Sequence, residues 1–461
     1  MLFQEQIFSL FSGKKIIILG MGREGTSTYK FIRKFLPNQP FTIADKNEQI
    51  TLPEENKPHY VKVILGKDYD QNLNDYDLII KSPGVSLEHL NYYVEREKLS
   101  SQTEIFMQFF ASQTIGVTGT KGKSTTSSLI YHIFYESGRD VILAGNIGIP
   151  FLDIVENIKA ETIIVAELSA HQLQYLDFSP HVAVFLNLFP EHLDFFNSFS
   201  SYQNAKINIV DFQNEGDYFI FNYDDENTYK ILRNHDYKRL YLSFSRKSVV
   251  KSGAYTLENK IVINSDGDPI ESYDFSLFAN LPGRHNFNNY MAAILACKTW
   301  NVSKEHITRA LQSFRGLEHR IEYVGEFDGI QFFNDSISTI PEAAIAAMEA
   351  VNRVDTLILG GFDRGIEYFR LYRFLQENAV NNIVFMGPAG RRMQQEMGAE
   401  LLKNVNYILE DDFEKIVAFA FAHTRKGYVC LLSPAAASYD QFKNFEERGN
   451  CFKKLVANYN S

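Results

Sequence analysis

Short, continuous apolar runs recur along the chain, separated by polar turns and by stretches with helical character. A run of about four to eight apolar residues between turn residues is typical of a buried strand. The runs lie at residues 15–20, 41–45, 78–81, 115–118, 162–167, 183–187, 219–222, 329–334, 356–361, 382–387 and 428–432. In the last third of the chain they alternate with helical stretches, which predicts a mostly parallel sheet.

Composition narrows the class of protein. The chain has 461 residues, of which 45% are hydrophobic, and this length predicts roughly three packed domains. A net charge of −10 argues against a nucleic-acid partner. The three cysteines, Cys297, Cys430 and Cys451, are far apart and predict reduced thiols in a cytoplasmic protein. The sequence contains no run of about 18 apolar residues, so it does not predict insertion into a membrane.

The strongest motif lies at residues 114–127, where a short strand leads through a glycine loop into a helix. Gly119 and Gly122 allow the backbone to approach phosphate oxygens, Lys123 neutralises their charge, and the Ser124 hydroxyl is a Mg²⁺ ligand type. The alternative is a tight turn that only starts a helix. Val117 stands where the standard loop has its first glycine.

A second glycine motif follows the first apolar run. Gly20, Gly22 and Gly25 precede Asp45, which ends the next strand, and this spacing matches a dinucleotide fingerprint. A purely structural turn is the alternative, because the motif alone is weak evidence. Glu167 also ends an apolar strand, where an α/β sheet places ligands, and is a candidate Mg²⁺ ligand.

Two segments of the sequence, one of them the glycine loop described above, resemble motifs of a known family. Thr-Gly-Thr-Lys-Gly-Lys-Ser-Thr at 118–125 resembles the ATP loop of the Mur ligases, which build peptidoglycan precursors and include the folylpolyglutamate synthases. Ser-Pro-Ala-Ala-Ala-Ser-Tyr-Asp-Gln-Phe at 433–442 resembles the glutamate-adding branch of that family. The resemblance covers essentially the whole chain, with the motifs in family order.

The resemblance implies a three-domain α/β protein. Residues 1–103 would form a Rossmann-like domain that binds the UDP-substrate, and residues 104–316 a central P-loop ATPase domain with a mostly parallel sheet. Residues 317–461 would form a Rossmann-like domain that binds glutamate. The implied reaction is ATP-dependent addition of glutamate to UDP-N-acetylmuramoyl-L-alanine through an acyl phosphate, by a cytoplasmic monomer.

The resemblance also implies the site residues of the first two domains. The UDP-substrate would contact Arg23, Glu24, Asp45, Lys46, Ser82, Gly84, Asn146, Ser169 and Gln172. ATP would contact Gly119, Thr120, Lys121, Gly122, Lys123, Ser124, Thr125, Asn286, Asn289, Arg320 and Asp335. Two Mg²⁺ ions would be held by Ser124, Glu167, His192 and Lys206, the last as a carbamate, and Lys123, His192, Lys206 and Arg320 would be catalytic. Ala170 and His171 depart from the family's usual Ser and aromatic residue.

In the last domain the implied glutamate contacts are Thr339, Arg364, Ser438 and Phe445. Ile337 and Arg364 replace two lysines that are usual in the branch. Arg364 suits a two-point grip on a carboxylate, so glutamate stays the predicted substrate. We expect D-glutamate, and L-glutamate is the alternative because some motifs resemble a divergent L-glutamate-adding branch.

Two other classes of protein fit parts of the pattern. A dinucleotide-dependent oxidoreductase would explain the first glycine motif but would leave the Lys123 loop without a use. A nucleotide-binding regulator with a ligase-like fold would bind ATP without releasing phosphate.

Overall fold

The computed structural model describes residues 3–50, 52, 60–233, 240–278, 286–351, 353–378 and 380–459. The described residues form three β-sheets. The chain divides into two compact units, residues 1–277 with 285–313 and residues 278–284 with 314–461. The first unit contains two of the sheets, and the second unit contains the third.

The first sheet has five parallel strands in the order β3-β2-β1-β4-β5. Its strands are β1 (Ile16–Leu19), β2 (Phe41–Asp45), β3 (Val61–Leu65), β4 (Leu78–Lys81) and β5 (Leu99–Ser100). Its helices are α1 (Phe3–Phe11), α2 (Arg23–Phe35) and α3 (Gln102–Phe110). All four residues of β1 are buried, which explains its unbroken apolar run. α2 begins at Arg23, directly after the second glycine of the motif, Gly22.

The second sheet has nine strands in the order β14-β13-β12-β11-β10-β9-β6-β8-β7. Its parallel strands are β6 (Thr114–Thr118), β7 (Val141–Gly145), β8 (Ile163–Glu167), β9 (Val182–Phe185), β10 (Tyr218–Asn222), β11 (Leu240–Ser245) and β12 (Gly253–Leu257). Two antiparallel strands extend it, β13 (Lys260–Ser265) and β14 (Asp268–Asp274). The sequence analysis did not predict this antiparallel extension.

The helices that accompany the second sheet are α4 (Lys123–Glu136), α5 (Ala170–Leu173), α6 (Leu193–Phe196), α7 (Phe199–Asp211), α8 (Glu226–Arg233), α9 (Asn286–Thr299) and α10 (Lys304–Ser313). A continuous apolar core joins buried residues of the first sheet, such as Ile18, to residues of the second, such as Ile164.

The third sheet has six strands in the order β15-β16-β20-β17-β18-β19. They are β15 (Glu322–Phe327), β16 (Ile330–Asn334), β17 (Val354–Gly360), β18 (Asn382–Met386), β19 (Asn406–Leu409) and β20 (Val429–Leu432). Only the pair of β15 and β16 is antiparallel among these described strands. The helices are α11 (Pro341–Ala350), α12 (Phe369–Glu377), α13 (Gly387–Leu401), α14 (Phe413–His423) and α15 (Phe445–Asn458). The predicted α/β class and mostly parallel sheets are confirmed.

No helix in the described ranges is both long and apolar enough to cross a membrane.

Candidate functional site

The phosphate loop lies where the order of the second sheet reverses. β6 is flanked by β8 and β9, so the chain passes from one side of β6 to the other between those two strands. Open parallel sheets bind ligands in the crevice at the carboxyl ends of strands at such a point. The loop at residues 119–122 follows β6 directly, and α4 begins at Lys123. The predicted strand, loop and helix are therefore present at the position where a ligand crevice is expected.

The start of α4 carries three of the predicted ATP residues, Lys123, Ser124 and Thr125, and all three are partly exposed. Lys123 Nζ donates to the carbonyl oxygens of Gly119, at 2.9 Å, and Thr120, at 3.1 Å. The ammonium group therefore lies over its own loop, next to the backbone N–H groups of the helix N-terminus. Both features favour an anion at this place.

The loop is attached to the segment that follows β9. Lys121 N donates to Asn187 Oδ1 at 2.9 Å, and Asn187 Nδ2 donates to Lys121 O at 3.0 Å. Lys121 Nζ forms an ion pair with Glu191 at 2.6 Å, and Thr120 Oγ1 donates to Phe189 O at 3.2 Å. Asn187 is a positioning residue that the sequence analysis missed. Its signal was a polar amide at the end of an apolar strand.

Asn289, one of the two asparagines predicted to contact ATP, lies against the end of the phosphate loop. Gly122 has a φ of 89°, and a Cβ atom there would stand 2.5 Å from Asn289 Oδ1, so this close approach requires glycine. The hydroxyl of Thr126 donates a hydrogen bond to the same atom, Asn289 Oδ1, at 3.2 Å. Asn289 therefore contacts both the loop and the first turn of α4. Asn289 Nδ2 donates to Asn286 Oδ1 at 2.8 Å. Residues 281–285, which directly precede Asn286 in the chain, lie outside the described residues.

Glu167 ends β8 beside this loop and is 1% exposed. Asn146 Nδ2 donates to Glu167 Oε1 at 2.6 Å. Glu167 Oε2 is buried and has no hydrogen-bond partner among the described residues. A buried carboxylate oxygen without a donor is costly, and it is the ligand type that Mg²⁺ prefers. The carboxylate therefore fits a divalent cation.

In the part of the chain that the structure describes, no group of three or more His, Cys, Asp or Glu side chains could hold a metal ion. Mg²⁺ commonly uses one or two carboxylates together with substrate phosphates and water. The donor set around Glu167 fits that mode of binding better than a closed protein cage.

His192 is the N-cap residue that directly precedes α6, and its φ of 56° lies in the left-handed region that non-glycine residues rarely adopt. Its side chain is half exposed, and its ring centroid lies 5.0 Å from that of His171. His171 also packs against Phe195, with centroids 4.3 Å apart. Burial, together with the nearby positive charges, lowers the pKa of His171 to about 4, so this ring is neutral at pH 7. The residue that departs from the family pattern therefore supports the ring of His192.

Lys206 lies in the middle of α7 and is 1% exposed. Its Nζ donates to Gly119 O at 2.9 Å and to Thr118 Oγ1 at 3.2 Å. Burial, and then repulsion from Lys123, lower the pKa of Lys206 well below its usual value. The structure thus brings the predicted carbamate residue against the phosphate loop, 87 residues away in sequence.

The predicted UDP residues of the first sheet lie at the carboxyl ends of its central strands. Ser82 Oγ donates to Gly20 O at 2.7 Å, so the turn after β4 meets the glycine loop after β1. Asp45 Oδ2 accepts a hydrogen bond from Met21 N at 2.6 Å, and this bond holds the same loop. The two remaining predicted residues of this edge, Lys46 and Gly84, are exposed.

Arg23 and Glu24 form the first turn of α2 and contact loops of the second sheet. Arg23 Nη2 donates to Gly145 O at 2.9 Å and to Asn146 O at 3.3 Å. Gln172 Nε2 donates to Glu24 Oε1 at 2.7 Å. Predicted UDP-substrate residues from both sheets are therefore brought together within the first compact unit.

The Glu24 carboxylate also faces a buried lysine that the sequence analysis did not select. Lys81 is 2% exposed, and its Nζ donates to Val85 O at 2.7 Å. Burial lowers the pKa of Lys81 to about 8, an effect that the charge of Glu24 opposes. Gln172, which donates to Glu24, is itself held by Ser169, because the two residues form a reciprocal capping box at the start of α5. Lys81 gave only a weak sequence signal, because a lysine at a strand end is usually solvated.

In the second compact unit, the predicted glutamate residues follow three adjacent parallel strands, β16, β20 and β17. Arg364 Nη2 donates to Thr339 O at 2.6 Å. Ser438 is buried, and Phe445 O accepts a hydrogen bond from Ser336 Oγ at 2.8 Å. The carboxyl ends of these strands therefore gather all four predicted residues at one edge of the third sheet.

Two predicted ATP residues also lie in this second unit. Asp335 is buried at the end of β16, and its carboxylate accepts hydrogen bonds from Ser338 Oγ and Ser433 Oγ at 2.5 and 2.7 Å. Burial raises the pKa of Asp335 to about 6. Arg320 is exposed in the turn before β15. Their predicted ATP contacts stay predictions.

Two family models match the chain. One describes the Mur ligase middle domain and matches residues 117–297, and the other describes the Mur ligase MurD-like N-terminal domain and matches residues 14–97.

Two curated relatives are similar over nearly the whole chain, and both are named UDP-N-acetylmuramoylalanine--D-glutamate ligase. The protein from Thermoanaerobacter sp. (strain X514) is 34% identical and covers 96% of this chain and 98% of its own length. The protein from Ruminiclostridium cellulolyticum is 34% identical and covers 98% of each.

Solved structures show the same fold at low sequence identity. UDP-N-acetylmuramate-alanine ligase MurC from Thermotoga maritima is 17% identical and covers 97% of this chain and 99% of its own, with a TM-score of 0.56. MurF ligase from Thermotoga maritima, in complex with ADP, is 19% identical and covers 96% of this chain and 95% of its own, with a TM-score of 0.54.

The chain belongs to the Mur ligase family. The predicted family and α/β fold class are confirmed, and so is the prediction of a ligase enzyme. The predicted bounds of three domains stay a prediction, since the chain divides into two compact units. The names of the relatives favour D-glutamate over L-glutamate, and they favour a ligase over an oxidoreductase or a silent regulator.

Proposed function

We propose that the chain catalyses ATP-dependent addition of D-glutamate to UDP-N-acetylmuramoyl-L-alanine, a step of peptidoglycan precursor synthesis. The observation that carries this proposal is that Lys123 and Lys206 both contact Gly119 O of the phosphate loop, while Glu167 ends the strand paired with β6. The chain is also similar to D-glutamate ligases over nearly its full length. ATP and nucleotide sugars are cytoplasmic metabolites, so we expect the reaction to take place in the cytoplasm.

The reaction needs positioned charges more than a protein nucleophile. The alanine carboxylate attacks the γ-phosphorus of ATP, ADP leaves, and an acyl phosphate forms. The glutamate amine, in its neutral form, then attacks the acyl carbon and the nitrogen releases one proton. The tetrahedral intermediate expels phosphate to leave the amide. Lys123 would stabilise the negative charge of the phosphoryl oxygens in the first step. Such alignment and electrostatic stabilisation account for most of the catalysis of phosphoryl transfer.

The metal-binding part of the proposal uses residues of the same crevice. Ser124, Glu167, His192 and carbamylated Lys206 would hold two Mg²⁺ ions. When bound, these ions neutralise charge on the phosphoryl oxygens. Glu167 Oε2, which has no hydrogen-bond partner in the described ranges, supports this assignment because a bound cation would satisfy it.

The carbamate is supported by the surroundings of Lys206. The side chain is buried and lies near the like charge of Lys123. Among the described residues its hydrogen bonds go to a carbonyl and a hydroxyl instead of a carboxylate. Carbamylation adds CO₂ to the neutral amine with loss of one proton, and replaces the ammonium by an anion. An anion beside Lys123 and a bound cation removes the repulsion.

The UDP-substrate and ATP would bind at the carboxyl ends of the strands of the first and second sheets. The UDP-substrate would use the glycine loop, the turn at Ser82 and Gly84, and the edge at Asp45 and Lys46. Arg23 and Glu24 would lie at its pyrophosphate, and Asn146 would contact its muramoyl peptide. Ser169 and Gln172 would also contact the substrate. Asn286 and Asn289 would contact adenine, next to the loop residues from Gly119 to Thr125.

Glutamate would bind at the edge of the third sheet. Arg364 and Thr339 would hold its side-chain carboxylate, and Ser438 with the backbone at Phe445 would hold its α-carboxylate. The hydrogen bond from Arg364 to Thr339 O supports a shared site for the first pair.

An ADP-release assay tests the proposal. We expect release only when ATP, UDP-N-acetylmuramoyl-L-alanine and glutamate are all present, with a product heavier by one glutamyl residue. Release that persists without glutamate, or a complete lack of release with all three, contradicts it. Tight binding of NAD, together with failure to bind UDP, would instead support the oxidoreductase alternative.

A further inference from the structure

A buried arginine lies at the centre of the edge that carries the predicted glutamate residues. Arg448 belongs to the first turns of α15 and is 1% exposed. Its side chain is among the largest fully buried ones in the described residues. Neither the family motifs nor the sequence analysis gave it a role.

In the part of the chain that the structure describes, the hydrogen bonds of the guanidinium group go to uncharged oxygens. Nε donates to Ser336 Oγ at 3.0 Å, and Nη2 donates to Ser336 O at 2.8 Å. Nη2 also donates to Ala436 O, and Nη1 to Ala437 O, both at 3.1 Å. Burial lowers the pKa of Arg448 to about 10, with Asp440 acting in the opposite direction. The group is still a cation at pH 7.

These acceptors belong to the two segments that hold most of the predicted glutamate contacts. Ser336 is in the turn that leads to Thr339, and its hydroxyl also donates to Phe445 O at 2.8 Å. Ala436 and Ala437 directly precede Ser438. The planar guanidinium group of Arg448, with its fork of N–H donors, therefore sets the distance between these two segments.

A third segment is packed against the same fork. Phe362 N donates to Ala437 O at 2.8 Å, which joins the turn before Arg364 to the segment before Ser438. Gly361 has a φ of 135°, and a Cβ atom there would lie 2.9 Å from Arg448 Nη1 and 2.3 Å from Ala437 O. Glycine is thus required at 361 because Arg448 and its acceptor leave no space.

Burying the positive charge of Arg448 at this position costs more free energy than a purely structural role would justify. A buried cation costs free energy unless it is paired, and one near a helix N-terminus also opposes the helix dipole. The two carboxylates of an amino acid bound at this edge would be attracted by such a charge. Buried Arg448 supplies positive potential and fixed geometry at the same place.

We propose that Arg448 is a positioning residue that holds the three segments in the geometry that binds the two carboxylates of glutamate. This inference rests on the proposed function, because it assigns the third-sheet edge to glutamate. Lysine cannot replace the fork, since its single ammonium group does not reproduce the planar, multi-point donation of a guanidinium.

The test measures KM for each of the three substrates in Arg448→Lys and Arg448→Met. We expect the KM for glutamate to rise about tenfold or more in both variants, as loss of hydrogen bonds from a charged group implies. The KM values for ATP and the UDP-substrate should stay within about twofold of those of the unmodified protein. If Arg448→Met fails to fold, Arg448→Lys decides.

Arg425→Met is the matched control. Arg425 pairs with the buried Asp355 at 2.7 Å, near the start of β17 and so at the opposite end of the same sheet. We expect this variant to lower the melting temperature without changing the KM for glutamate. An equal rise of all three KM values in the Arg448 variants, or an unchanged glutamate KM, overturns the inference. If the unmodified protein itself releases no ADP with glutamate, the proposed function fails instead.

Discussion

The ammonium nitrogen of Lys206 lies 2.9 Å from the carbonyl oxygen of Gly119, so a buried lysine of α7 directly contacts the phosphate loop. Lys123 Nζ donates to the same carbonyl oxygen at 2.9 Å. Two lysines therefore converge on one loop carbonyl. This arrangement is costly for two cations and is relieved if one lysine becomes an anion.

Lys206 is therefore expected to make activity depend on CO₂. ADP release should be low in CO₂-depleted buffer and should recover with bicarbonate. Lys206→Ala should be inactive and partly rescued by a small carboxylate, because the carboxylate can replace the anion of the carbamate. An unmodified mass for the active protein, measured without acid, would rule out the carbamate.

Lys123→Ala should abolish ADP release while leaving the melting temperature close to its original value. The side chain is partly exposed on a loop, so its loss should cost transition-state stabilisation of about 3 to 4 kcal/mol without a large effect on folding. Lys159→Ala is the control, since Lys159 is an exposed lysine paired with Asp140 at 3.3 Å. Similar activity of the two variants would contradict the role of Lys123.

Asn187→Ala should weaken ATP binding in particular. Asn187 makes two hydrogen bonds with the backbone of Lys121, and their loss frees the loop that is proposed to bind phosphates. We expect the KM for ATP to rise about tenfold and the KM for the UDP-substrate to stay constant. A rise in the KM for the UDP-substrate alone would show that Asn187 acts elsewhere.

Arg364→Met should raise the KM for glutamate, whereas Arg364→Lys should keep most of the activity because lysine is usual in the branch that this chain resembles. Arg370→Met is the control, since Arg370 is exposed and pairs only loosely with Glu342, at 3.5 Å. Equal glutamate KM values in Arg364→Met and in the control would contradict the proposed grip.

Glu104 gives a prediction about stability and pH. Its carboxylate accepts a hydrogen bond from Asp177 N at 2.8 Å, and burial raises its pKa to about 7 from a usual 4.5. Between these pH values the folded state keeps a proton that the unfolded chain releases, so stability falls as pH rises through this window. Glu104→Gln should therefore raise the melting temperature by about 2 to 4 °C at pH 8, and should have little effect at pH 4.5. An equal shift at both pH values would contradict the stated cause.

The sequence predicted the residues whose chemistry is encoded locally. Lys123 follows a glycine loop and Glu167 ends an apolar strand, and each pattern points to its place at the sheet edge without knowledge of the neighbours. The motifs of the last domain likewise predicted that Thr339 and Arg364 belong to one site, and these residues are in contact.

The sequence did not predict contacts that depend on which strands become neighbours. Asn187 holds the phosphate loop because β9 lies beside β6, and Lys81 faces Glu24 because β4 ends near the start of α2. Glu24 bonds Gln172 across 148 residues of sequence. No local pattern specifies such long-range pairs, and the same holds for the fork of Arg448.

The measurement that tests the proposed activity most directly compares the two enantiomers of glutamate. ADP release is followed with saturating ATP and UDP-N-acetylmuramoyl-L-alanine at equal concentrations of D-glutamate or L-glutamate, and the product is weighed by mass spectrometry. We expect a clear preference for D-glutamate and a product one glutamyl residue heavier than the substrate. A preference for L-glutamate would contradict the assigned substrate, and equal rates with both enantiomers and with no amino acid would contradict the ligase itself.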